Sequence, residues 1–200
     1  MQNHDQDRWE TLGRVAESQA GYFTVRQAEE AGFHRSGLLQ HCREGGRLQH
    51  VSRGLYRLRF FPGSPFEHIA AAWVSAGPNL AVISHESALE LFRLADVAPS
   101  DVHITLPRSF RHRRPPFGVR YHFPRVGLAV DEVQMAQGMR ATSVERTLAD
   151  VAEGGTQPEQ VRLAIRQALE RSVTTAPRLE IAFANRSQRA RSLLRESLST

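Results

Sequence analysis

Between Phe33 and Phe60 the chain carries six arginines, Arg35, Arg43, Arg47, Arg53, Arg57 and Arg59, against a single acid, Glu44. His34, His41 and His50 add polar groups to the same stretch. A guanidinium presents a planar fork of donors that fits phosphate oxygens and the guanine edge. Leu38, Leu39 and Cys42 define the expected buried side of a short helix beginning near Ser36. Ser36, Gly37, Gln40, His41, Arg43 and Glu44 then turn toward solvent. Ser36, Gln40 and Arg43 share roughly one face, where Gln can pair with adenine and Arg with guanine in a major groove. Arg35 sits at the helix start, where the dipole favours phosphate. Thr24 and Arg26 open the preceding helix and can reach a nucleic-acid backbone. Arg53 occupies the tip of a following hairpin, placed for phosphate or the minor groove. The competing reading of these residues is a solvated face on a small adaptor domain that binds protein.

A second basic stretch, Pro107 to Arg125, holds Arg108, Arg111, Arg113, Arg114, Arg120 and Arg125 with His112 and His122, and no acid. Pro115-Pro116 interrupts it, which predicts a loop between two strands. It is either a mobile solvated loop, a docking patch for an acidic or nucleotide-binding partner, or a second nucleic-acid contact. Arg108, Arg111, Arg113 and Arg114 are its candidate contact residues.

Enzyme signatures fail one by one. His85-Glu86 opens like a zinc-protease HExxH, but position 89 is Leu. Asp101-Val102-His103 alternates as strand ligands would, yet one such pair is more often a surface feature. Asp131 and Glu132 are adjacent, so on a strand they face opposite sides. No GxSxG elbow exists. All 26 cationic residues are arginine. The absence of lysine excludes a P-loop, a kinase-type phosphate site, Schiff-base chemistry and a lysine-dependent nuclease motif. Cys42 is the one cysteine, which rules out an intrachain disulfide and a cysteine-built zinc site. No catalytic residue, metal or cofactor is therefore expected.

The elements that must position these groups follow from periodicity. A chain of 200 residues with 40% hydrophobic and 24% charged content fits an ordinary globular protein of one or two domains. Its net charge is +5. The polar, acidic start from Met1 to Glu10 does not read as a signal peptide, and no apolar run reaches membrane length. Trp9, Leu12, Val15 and Ala16 predict a helix over 7–20. Thr24 to Gln27 is a capping box opening a second helix that Gly32 closes. Gly45-Gly46 ends the third. Leu48 to Ser52 and Leu55 to Leu58 alternate as strands around Arg53-Gly54. Ser64-Pro65-Phe66-Glu67 starts a helix running to Ala76, and a new domain is expected to begin near 62. Beyond it, strands are predicted at 80–83, 102–106, 118–123, 130–135 and 139–141. Helices are predicted from Ser84 and over 144–153 and 158–171, with a helical, Arg-rich tail. Glu145, Arg146 and Asp150 are expected to form a helix-surface or interdomain ion-pair set. The fold class is α+β: an N-terminal winged helix-turn-helix over 1–61, then a mixed α+β domain over 62–200.

The segment GYFTVRQAEEAGFHRSGLLQHCREGGRLQHVSRGLYRL resembles the winged-helix domain of the AbiEi-type antitoxins of type IV toxin–antitoxin systems, which act in abortive infection. ISHESALELFRL, VHITLP and GMRATSVERTLADVA resemble the second domain of the same family. The resemblance implies a cytoplasmic, non-enzymatic protein with two jobs. Its first domain would bind double-stranded operator DNA and repress its own operon. Its second would counter a cognate nucleotidyltransferase-type toxin. Carried over by position, Arg35, Ser36, Gln40, His41 and Arg43 fall on the recognition helix and Arg53 on the wing. Similar N-terminal halves also occur fused to a nuclease-like domain, for which 200 residues leave little room. A monomer is expected in solution. The alternative is a stand-alone winged-helix transcription factor whose second domain senses a ligand or partner.

Overall fold

Helix α1 (Gln2–Glu17) presents Trp9, Leu12 and Ala16 along one stripe, and Leu12 and Ala16 are fully buried. In the computed structural model the backbone is described for residues 2–199 and side chains for 5–199. The chain then makes a short strand, β1 (Tyr22–Thr24), which the sequence pattern does not show because three residues are too few to display alternation. Thr24 caps helix α2 (Val25–Glu30) through the expected capping box with Gln27. Helix α3 (Arg35–Leu38) passes directly into a 3-10 turn, Leu39–Cys42. Strands β2 (Leu48–Ser52) and β3 (Leu55–Leu58) form the wing, in a three-stranded antiparallel sheet of order β1-β3-β2. Phe23, Ala28, Phe33, Leu38, Leu48 and Tyr56 join the α1 stripe in one core. This is a winged helix-turn-helix.

Helix α4 (Glu67–Ala76) packs on β1 and β3. Contacts divide the chain into Met1–Asn79 and Leu80–Thr200, so α4 groups with the first unit rather than opening a second one near 62. The physical reason is Arg57, which is nearly buried. Its guanidinium donates to the carbonyls of Phe61 and Pro62 and to Glu67 Oε1, at 3.0–3.1 and 2.9 Å, and so stitches α4 to the wing.

The second unit is built on a five-stranded mixed sheet of order β6-β5-β4-β8-β7. Its strands are β4 (Val82–Ile83), β5 (Val102–Thr105), β6 (Val119–His122), β7 (Val133–Ala136) and β8 (Met139–Thr142). Gln137 and Gly138 take positive φ and close the β7–β8 hairpin, as the sequence suggests. Helix α5 (His85–Phe92) follows β4, and α6 (Val144–Gly154), α7 (Pro158–Glu170), α8 (Ala176–Phe183) and α9 (Gln188–Leu198) follow β8. Leu148, Val151, Val161, Ile165, Leu179, Phe183 and Leu194 make the helical core. Among the described residues, no helix is long and apolar enough to cross a membrane.

Candidate functional site

The expected recognition helix is half α-helix and half 3-10, and this changes which side chains face out. A 3-10 turn advances each residue by about 120° rather than the 100° of an α-helix. Leu39, expected inside, is 58% exposed. His41, expected in solvent, is half-buried with its ring edge-on to Trp9 and Phe33 at 5.1 and 5.9 Å. Cys42 is half-buried as expected, its thiol donating to the Leu38 carbonyl. Arg35, Ser36, Gln40 and Arg43 are exposed. His41 is therefore a packing residue that anchors the element to α1, and Arg35, Ser36, Gln40 and Arg43 form its outer face.

The remaining arginines divide by role. Arg59 reaches back from the end of the wing. It donates from Nε to the Gly46 carbonyl at 2.8 Å and from Nη2 to those of Cys42 and Leu48, each at 3.1 Å. Charge-assisted bonds to carbonyls at a helix end offset acceptors that the helix cannot satisfy itself. Gly46 is required here, because a Cβ would collide with the His41 carbonyl. Arg47 stacks over Trp9 at 5.0 Å. Arg53 stands exposed at the wing tip beside Gly54, whose φ of +79° shapes the turn. Thr24 spends its hydroxyl on the α2 cap, and Arg26 pairs with Glu30 at 2.8 Å on an exposed face. Arg59→Ala is expected to lower stability by about 1–2 kcal/mol through the lost charged hydrogen bonds. It should also weaken ligand binding at Arg35, Gln40 and Arg43, although Arg59 spends its donors on backbone carbonyls. A urea titration of the variant checks the first part.

In the second unit Arg108, Arg111 and Arg114 are exposed on the β5–β6 connection, with Arg113 beside them and Phe117 fully exposed. Arg120 pairs with Asp101 at 3.3 Å. These loop arginines do not converge on the ion-pair set, which forms a separate cleft of about 1080 Å³ with Arg146, Arg178, Arg186, Glu132 and Glu145 in its walls. Asp150 is buried and accepts two hydrogen bonds from Arg146 Nε, at 2.9 and 2.8 Å, and pairs with Arg186 at 2.9 Å. Arg146 also pairs with Glu132 at 2.9 Å. Burial works to raise the Glu132 pKa, but the Ala129 N–H and Arg146 hold it below the ordinary carboxylate range. Glu145 is buried against Thr174 and Arg178, at 2.6 and 3.0 Å. The expected surface set is thus centred on two buried carboxylates, Glu145 and Asp150, with partly exposed partners around them. Glu132 enters it because 130–132 is a 3-10 turn and not the strand the sequence suggested.

Next to this cleft lies a cavity of about 300 Å³ lined by His85, Thr105, His122, Arg146, Asp150 and Arg186. His103 completes a trio of imidazoles there. The His85 ring stacks on His122 with centroids 3.7 Å apart, and His122 Nε2 lies 3.3 Å from His103 Nδ1. Burial, reinforced by the neighbouring imidazoles, pushes the pKa of both His85 and His122 down to about 3. His103 is lowered as well, chiefly by burial.

Residues 10–59 match a protein-family profile described as "Transcriptional regulator, AbiEi antitoxin". The matched residues are those of the winged helix. A crystal structure of the RV2827C protein from Mycobacterium tuberculosis shares the fold with a TM-score of 0.58 and 18% sequence identity. The likeness covers 93% of this chain and 75% of that one. No curated protein matches the chain.

Within the winged helix the sequence pattern located the third helix and the wing but not the division of labour among their arginines. Arg57 and Arg59 count equally with Arg43 and Arg53 in a charge tally, and only their carbonyl partners separate them. In the second unit it missed the histidine trio. His85, His103 and His122 are 18 and 19 residues apart, with no motif spacing to link them.

Proposed function

We propose that this protein is a DNA-binding antitoxin and autorepressor. The winged helix would read repeats in its own promoter, and the second unit would neutralise a nucleotidyltransferase-type toxin encoded beside it in a type IV operon. The observation that carries the reading is the outward face of the recognition element. Arg35, Gln40 and Arg43 are exposed there, while Arg59 ties down the carbonyls behind them. These bonds hold the backbone behind the exposed face, which would reduce the backbone ordering that binding requires. Arg43 would read a base. Arg35 at the start of α3, with Arg53 on the wing, would hold phosphate. Thr24 and Arg26 would make secondary backbone contacts, and Arg26 would have to leave Glu30 to do so. The exposed loop bearing Arg108, Arg111, Arg113 and Arg114 would meet an acidic partner or nucleic acid. The family supports a regulator rather than an enzyme.

The test is an anisotropy titration with the DNA immediately upstream of the gene, at two salt concentrations. Arg43→Ala should weaken operator binding by about 1–3 kcal/mol and reduce preference over random DNA. Arg53→Ala should weaken binding to all sequences and reduce the salt slope by about one. Equal affinity for operator and random DNA would remove the autorepressor reading. Failure of the co-expressed protein to relieve growth arrest by a neighbouring nucleotidyltransferase would remove the antitoxin half. The cleft in the second unit favours one other reading, a transcription factor whose second domain senses a ligand. In that case a small molecule, and not a toxin, would shift operator affinity.

A further inference from the structure

We propose that His85, His103 and His122 form a binding site for a divalent transition-metal ion of the zinc class, with three imidazole ligands and one open position. Strand register builds it. Strands β5 and β6 run parallel, with His103 opposite Arg120 and Thr105 opposite His122, so the two histidines lie diagonally on one face. Strand β4 pairs antiparallel to β5, and the Ser84 N–H donates to the His103 carbonyl at 3.0 Å. This delivers His85, the first residue of α5, to the same spot. Each residue offers one nitrogen, and the three nitrogens lie within 4.8 Å of one another.

The distances suit one ion. Two nitrogens at about 2.0–2.1 Å from a tetrahedral Zn²⁺ stand roughly 3.3 Å apart, with ring centroids roughly 5 Å apart. His122 Nε2 and His103 Nδ1 are 3.3 Å apart, and their rings are separated by 5.1 Å. His85 and His103 are separated by 5.7 Å. The stacked His85–His122 pair, at 3.7 Å, must part by about 1–1.5 Å to admit the ion at that spacing.

A metal-bound imidazole needs a partner for its other nitrogen. His85 Nδ1 lies 3.0 Å from Ser84 Oγ, which accepts from Thr105 Oγ1 at 2.8 Å. The tautomer that donates from Nδ1 leaves Nε2 with its lone pair. Ser84 sits at the start of α5 yet makes no side-chain cap, because its hydroxyl is used here. Neutral imidazoles are the form that ligates, and burial keeps these rings neutral at physiological pH. The guanidiniums near the site already have carboxylate partners, Arg146 and Arg186 on Asp150 and Arg120 on Asp101. A cation is therefore tolerated. The 300 Å³ cavity bordered by His85 and His122 would leave room for water or a small anion as the fourth ligand.

The test uses the full chain, stripped with chelator and titrated with Co²⁺ followed by visible absorption, then with Zn²⁺ by calorimetry. Saturable uptake of one equivalent, with the intense visible bands of a tetrahedral cobalt site, is expected. Zinc should raise the unfolding midpoint by several degrees. Ser84→Ala should weaken binding by roughly 10–100-fold. His122→Asn, shown folded by circular dichroism, should weaken it further. His112→Ala, on the neighbouring exposed loop, should bind as wild type. Absence of stoichiometric uptake by the wild type, or uptake unchanged in both His122→Asn and His103→Asn, would overturn the site.

Discussion

Asp150→Ala should cost about 3–5 kcal/mol of unfolding free energy, the largest single effect expected in the second unit. Asp150 lies on α6 with only 6% of its side chain exposed, and it holds two guanidiniums at once. Arg146 and Arg186 are themselves only 15% and 21% exposed. Removing the carboxylate leaves Arg186 without its acid and leaves Arg146 to Glu132 alone. The loss is thus mainly the cost of charges desolvated and unpaired, and not the worth of the bonds removed. The opposite is expected when the charges are removed together. Replacing Asp150, Arg146 and Arg186 together with apolar residues of similar volume should cost far less than Asp150→Ala alone. Urea denaturation of the single and triple variants checks both. If Asp150→Ala costs under about 1 kcal/mol, the network behaves as a surface set and its burial contributes nothing.

Acid should begin to destabilise the metal-free protein near pH 6.5, through its partly buried imidazoles. The unfolded imidazole titrates near its ordinary 6.5, whereas His85 and His122 in the fold titrate at about 3. Between these values the unfolded chain binds protons that the folded chain refuses. Stability is therefore complete above about pH 6.5 and is lost as pH falls toward 3. At about pH 5 each ring would contribute up to roughly 2 kcal/mol of loss. The rings are partly exposed, and screening reduces the pair's total to about 2–3 kcal/mol. Glu132 acts in the same direction, its share being lost from the ordinary carboxylate range downward. Urea midpoints at about pH 7 and about pH 5, for wild type and His85→Asn, isolate the effect. Asn suits position 85 because His85 holds a φ of +52°, a left-handed conformation that Asn adopts readily. The variant should lose markedly less stability between the two pH values. Equal losses would mean that these rings do not control the acid limb.

Local order in the sequence determined much of this protein. The capping box at Thr24 to Gln27, the alternation on either side of Arg53-Gly54 and the Gln137-Gly138 turn each specify an element through bonds within a few residues. Together with the basic stretch after Phe33, they determined the winged helix, the α+β class and the family resemblance. Tertiary structure decided what local patterns leave open. Whether Leu39 or His41 faces the core depends on a change from α to 3-10 geometry, which shifts the side-chain phase within one turn. Arg59 clamps and Arg43 projects because one of them finds backbone carbonyls brought near by the wing. Glu132 and Arg146 meet because strand β8 returns the chain to a 3-10 turn 14 residues earlier. The histidine trio is the furthest from sequence. Its members come from the start of a helix and from two parallel strands, and a one-residue slip of β6 against β5 would turn His122 to the opposite face. Spacing along a chain encodes contacts within an element, whereas the pairing of distant strands is set by burial of the whole sheet.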